Sequence, residues 1–345
     1  LESVRAGIAR LLHCRPESLV FTSGATEGIQ EAVFSAISHF SRKPAGESRP
    51  RLLLYGATEH KAVPQALAHW NEMLKAGFEV RAIPVDATGR IQLDALKALA
   101  PQAALVCTMA VNNETGVIQD LDAIDSLMRR EGRDALWLVD SVQALGKIDL
   151  ELQRRRIDYA PFSGHKLYAP KGIGFLYFRP GAPYTPMIVG GGQERGLRSG
   201  TENLPGVAAL GAVIEKLEAG EGFRSTQELE NFRDRILGAL RESFPGLQLN
   251  HSLEASIPTT INFAVPGVSS REILDVFDAA GIRVSSGSAC NSGKASRSHV
   301  LDAMGAEVWK SEGAVRLSWG LASTAEEIGE AAAAIRRAGR AISRS

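Results

Sequence analysis

Residues 135–139, Ala-Leu-Trp-Leu-Val, are apolar at every position and stop on Asp140. Side chains alternate between faces along a strand, so a run without alternation has both faces covered, as in a parallel sheet flanked by helices. Residues 103–111 read as another strand of this kind, apolar except at Thr108. Helix-like and strand-like segments alternate around these two runs. Residues 18–22 read as a strand, and after them Ile29, Val33, Ala36 and Ile37 share one helical face. Residues 52–55 read as a strand, and from about Asp120 a helix turns Leu121, Ile124, Leu127 and Met128 inward. Residues 157–162 and 172–178 add two more apolar runs. The chain is therefore expected to be α/β, with a mainly parallel mixed sheet.

A chain of 345 residues can bury one large or two ordinary cores. The helical patterns that start near Pro205 and span 226–244 read as a bridge to a smaller domain. That domain would hold strands at 259–265, 282–285 and 314–318, a helix at 270–280 and a last helix from about Thr324. In that last helix Ile328, Ala332, Ile335 and Ile342 fall at helical spacing. Domains are thus expected at 1–219 and 220–345, with 41–51 as a surface loop. Basic and acidic residues balance at 39 each, so neither a nucleic-acid nor a membrane surface is expected. No apolar run reads as a bilayer span or a signal peptide. Cys14, Cys107 and Cys290 have no metal-ligand spacing, so no metal is expected; three cysteines of this kind suit a reducing, cytoplasmic setting.

The chemistry-bearing residues fall at strand ends. Residues 23–27 form a glycine turn between strand and helix, which aims backbone N–H groups at an anion. The Thr26 hydroxyl would add a donor there, or else serve as an N-cap. His60 follows the strand at 52–55, where open α/β sheets bind ligands. Asp140 ends a buried strand and needs a partner, either a helix N-terminus or a cation. Gln143 lies three residues on. Lys166 stands between the strand ending at Phe162 and a glycine-rich turn, where desolvation would free its amine to react with an aldehyde. Lys166 for an aldehyde, Asp140 for a ring nitrogen, and residues 24–26 with Ser163 and His165 for a phosphate make a set. With His60 on a flat ring and Gln143 on a ring oxygen, it describes pyridoxal 5′-phosphate.

Eight stretches in order resemble the cysteine desulfurases of the NifS/IscS type, a class V aminotransferase family. They are TSGATE at 22–27, EHKAV at 59–63, VNNE at 111–114, VDSVQ at 139–143, SGHK at 163–166, GGGQERGLRSGTEN at 190–203, SSGSAC at 285–290 and VRLS at 315–318. The resemblance implies a fold-type I pyridoxal-phosphate enzyme, with a large cofactor domain and a smaller α/β C-terminal domain. It implies Lys166 as the lysine bonded to the cofactor, Asp140 at its ring nitrogen and Gln143 at its ring oxygen. It places His60 on the ring, also as proton carrier, and Ala25, Thr26, Ser163 and His165 on the phosphate. Thr201 would reach the phosphate of a neighbouring subunit in a homodimer. Asn113 and Arg316 would hold the carboxylate of L-cysteine. Cys290, in a small polar run, would take the sulfur as a persulfide for an acceptor or scaffold protein, as in iron–sulfur cluster assembly. A related C–S lyase, a selenocysteine lyase, or a non-catalytic scaffold stays open.

The sequence departs from the family pattern at Ser141, where alanine is usual, and at Ala169, where glycine is. Lys294 to Arg297 replace a usual Leu-Glu-Pro and make that loop more basic. The family's leading segment, with an Asp-Asn-Ala-Thr stretch, has no counterpart in the sequence.

Overall fold

The computed structural model describes residues 1–42, 51–286 and 297–342. They form two compact units: 1–84, 91–111 and 119–221 in the first, 85–90, 112–118 and the residues from 222 in the second. Chain order alone assigns 85–90 and 112–118 to the large domain. Backbone pairing moves 112–118 to the second unit. Ile118 N–H donates to Ala255 O at 2.8 Å, Ile257 N–H donates to Gly116 O at 2.9 Å, and Val117 bridges Ser256.

The first unit contains α1 (Glu2–Leu11), β1 (Leu19–Thr22), α2 (Ala25–Ser41), β2 (Leu52–Gly56), α3 (Ala62–Met73) and β3 (Glu79–Ile83). It continues with α4 (Leu93–Leu99), β4 (Ala103–Met109), α5 (Leu121–Arg130), β5 (Leu136–Asp140), β6 (Tyr159–Ser163), β7 (Gly174–Phe178) and α6 (Leu204–Ala219). Its seven strands run in the order β1-β7-β6-β5-β4-β2-β3. Only β7 is antiparallel to its neighbours, so the carboxyl ends of β1, β2, β4, β5 and β6 share one edge.

Strands β4, β5 and β6 are buried at every residue, as continuous apolar runs require. Helices α2 and α3 close one core against the sheet through Ile29, Val33, Ile37, Val63 and Leu67. Asp158 is fully buried where β6 begins. It accepts from Trp137 N–H at 2.8 Å and pairs with Arg179 at 2.6 Å, tying β5 to the end of β7. The edge strand β3, Glu-Val-Arg-Ala-Ile, alternates charged and apolar residues over only a few positions and is not among the strands expected above. Its charges suit an edge.

The second unit holds α7 (Thr226–Ser243), β8 (Gln248–Leu249), β9 (Thr260–Ala264), α8 (Ser270–Ala279), β10 (Ser285–Ser286), α9 (His299–Ala303), α10 (Val308–Gly313), β11 (Val315–Ser318) and α11 (Ala325–Ile342). The strand expected at 282–285 shortens to β10. The antiparallel sheet β10-β11-β9-β8 packs on helices through Phe232, Ile236, Phe263, Phe277 and Ile335. Capping boxes at Ser225–Glu228 and Ser269–Glu272 start α7 and α8. Among the described residues, no helix is long and apolar enough to cross a membrane.

Candidate active site

Four strand ends of the first unit, those of β1, β2, β5 and β6, carry most of the cofactor candidates singled out above. Helix α2 starts at Ala25 with Gly24 as its N-cap, so Thr26 is the second helical residue and not the cap. Its side chain is exposed, beside first-turn amides that have no acceptor within a helix. The Ala25 N–H donates to Ser163 Oγ at 2.9 Å, joining the end of β6 to this turn. Gly174 makes the approach feasible. A Cβ there would stand 2.3 Å from Phe162 O and 2.6 Å from Gly24 Cα. Thr22 and Ser163, which pair with Gly174 from either side, are thereby drawn together. His165 is exposed on the 3₁₀ turn Gly164–Leu167. Burial, then the charges of Lys166 and Lys171, hold its proton affinity below the ordinary imidazole value.

Asp140 is 7% exposed and accepts from Val142 N–H at 3.0 Å, a local turn with no helix after it. Burial raises its carboxyl, while Val142 N–H, His60 and Lys166 lower it, which puts His60 and Lys166 within electrostatic reach. A buried carboxylate with one amide donor fits a protonated ring nitrogen. His60 Nδ1 accepts from Ala62 N–H at 3.2 Å, so the neutral ring carries its proton on Nε2. Gln143 Oε1 accepts from Lys147 Nζ at 2.9 Å. The Ser141 hydroxyl, fully buried where the family has alanine, donates to Val139 O at 2.9 Å.

Lys166 is exposed, against the desolvation its sequence context suggests. It lies on the 3₁₀ turn Gly164–Leu167, which follows the buried end of β6. Two neighbours escaped the sequence reading. Glu59 is buried, and its carboxyl lies well above its ordinary range through burial, then Asp140's charge. Its position beside His60 was the available signal. Lys147 sits four residues after Gln143, the spacing of one helical turn.

Thr201 is exposed in a cleft of about 170 Å³ with Ser23, Arg198 and Asn203. The loop before it is anchored by Glu194, which takes Arg5 at 2.6 Å and Phe21 N–H at 2.8 Å. In the second unit Arg316 Nη1 donates to Asn113 O at 2.6 Å and Nη2 to Ser285 Oγ at 3.5 Å. Those two substrate candidates are therefore adjacent there. Cys290 lies outside the described residues. Of the other thiols, burial pushes Cys14 up to about 12 and Cys107 well above its ordinary value, so neither is a ready nucleophile.

A family model described as Aminotransferase class-V matches residues 1–330. Cysteine desulfurase 2 of Trichormus variabilis is 36% identical over 95% of this chain and 79% of its own length. The cysteine desulfurase of Gluconacetobacter diazotrophicus is 39% identical over 90% of this chain and 75% of its own. A solved structure named NifS-like protein, 32% identical, superposes with a TM-score of 0.85 over 100% of this chain and 87% of that one.

Proposed function

The chain belongs to the aminotransferase class-V family and, within it, to the cysteine desulfurases, and from that premise we propose how its own residues take sulfur from L-cysteine and leave L-alanine. The family depends on pyridoxal 5′-phosphate, which when bound supplies an aldehyde for covalent attachment and a ring that withdraws electrons from the substrate. The residues present fit that group. Asp140 would hold the ring-nitrogen proton. The Gln143 amide would donate to the ring oxygen, and His60 would lie against the ring. Ala25, Thr26, Ser163 and His165, at the positive end of α2, would hold the phosphate.

Lys166 holds the cofactor and then moves the substrate's α-proton as general base. His60, whose neutral ring carries its proton on Nε2, serves as proton carrier. Arg316, set by the Asn113 carbonyl, grips the substrate carboxylate, a task its planar fork suits. The Cys290 thiolate attacks the substrate sulfur. An S–S bond forms, the carbon–sulfur bond breaks with its electron pair left on carbon, and a proton completes L-alanine. The sulfur stays on Cys290 as a persulfide for an acceptor protein, with iron–sulfur cluster assembly as one destination. A cytoplasmic homodimer, with Thr201 reaching the neighbouring phosphate, completes the proposal.

The observation that carries it is the meeting of Asp140, His60, Lys166, Gln143 and the Ser163–α2 turn on one sheet edge. The test is mass spectrometry of the cofactor-loaded protein after L-cysteine without reductant, beside Cys290→Ser. One added sulfur on the Cys290 peptide, with alanine, is expected. Pyruvate and sulfide with Cys290 unmodified would mean a C–S lyase instead.

A further inference from the structure

Lys147 has no part in the chemistry above, yet it sits inside the site. The loop after β5 folds back through Ala144 N–H to Ser141 O at 3.0 Å and Lys147 N–H to Ala144 O at 2.9 Å. Those turns set Gln143 and Lys147 one above the other, with Nζ donating to Gln143 Oε1 at 2.9 Å. An ammonium donates only, so it must meet the amide's oxygen, which turns the amide NH₂ outward as a donor. Without that contact the two ends of a glutamine amide are nearly isosteric and either could face a ligand.

Lys147 is half-buried and feels the charge of Lys166. The other titratable groups that share a cleft of about 320 Å³ with it are His13, Asp149 and Glu151. Lys166 is too exposed for burial to free its amine; a like charge nearby is the other physical route to the same end.

We propose that Lys147 is a positioning residue of this site, fixing the donor face of Gln143 and standing as a second positive charge beside Lys166. The proposal rests on the functional reading above. Burial, then the Lys166 charge, brings Lys147 itself down to about 8, so its influence holds below about that pH.

The experiment is a pH titration of the visible absorbance of the pyridoxal-phosphate-loaded protein, without substrate, for wild type, Lys147→Met and Lys147→Arg. Losing a neighbouring like charge favours the protonated chromophore, so Lys147→Met should raise the midpoint by about one pH unit. It should also weaken cofactor affinity by about tenfold through loss of the Gln143 donor. Lys147→Arg keeps charge and donors and should restore the midpoint. If Lys147→Met fails to fold, Lys147→Gln, polar and neutral, takes its place with the same expected shift. A neutral variant with the wild-type midpoint, or an arginine variant shifted as far as the neutral one, overturns the proposal alone. A wild type that takes up no pyridoxal phosphate overturns the functional reading and this proposal with it.

Discussion

Asp140 shows how one residue can be set for one kind of partner. Its carboxyl is buried, raised by that burial, and given a single backbone donor. A cation in front of it would recover what burial removes, and removing one member of such a pair costs about 3–5 kcal/mol. Asp140→Asn should therefore leave the fold intact and lower pyridoxal-phosphate affinity at least roughly a hundredfold, as read by fluorescence titration. Unchanged affinity would show that the ring nitrogen lies elsewhere. Glu31, on α2, is another buried carboxyl, pushed up to about 8 by burial and accepting from Met187 N–H at 3.2 Å. Its folded value lies above the ordinary 4.5, so between the two the folded state binds the extra proton. Stability should then fall as pH rises through that window, by about 1.4 kcal/mol per unit at most. Glu31→Gln should flatten the melting temperature between pH 5 and 8, and gain most at pH 8. A variant that melts in parallel with wild type across that range would remove Glu31 as the cause.

At the scale of the element, the site depends on how closely β7 passes the turn into α2. Gly174 is the residue that permits it, because any Cβ there meets backbone on both sides. Gly174→Ala should cost about 3 kcal/mol by urea unfolding and separate Ser163 from the Ala25 amide. Weakened binding of inorganic phosphate would report that separation; normal phosphate binding in a destabilised protein would place the strain elsewhere. The capping boxes are independent of the site. Ser269→Ala should cost about 1 kcal/mol and leave inorganic phosphate binding alone, which the same two measurements check.

At the scale of the whole molecule, the cofactor candidates all belong to the first unit, while Asn113 and Arg316 belong to the second. A ligand stabilises what it binds when folded, by about 2.7 kcal/mol at a hundred times its dissociation constant. Calorimetry with pyridoxal phosphate should raise the transition of the first unit. Phe263→Ala, in the core of the second, should lower a transition that the cofactor does not move. One transition shifted equally by both would show that the units unfold as one. Much of this organisation is legible along the chain. Apolar runs without alternation announce buried parallel strands, and Asp140, His60, Ser163 and Lys166 announce themselves by standing at strand ends, because covalent order places them there. The edge strand β3 is not read from the chain alone, since five residues with one buried position give only a short alternation. Nor is the transfer of 112–118 to the second unit, which hydrogen bonds to residues some 140 positions later decide. Sequence by itself determined the fold class and nominated the candidate site residues, because both follow from local periodicity and position. Only the tertiary structure decided that Lys166 is exposed, that Gly174 lets β7 meet the α2 turn, and that Lys147 lies on Gln143. Each depends on which distant backbones pack together, and that is not written in any one stretch of chain.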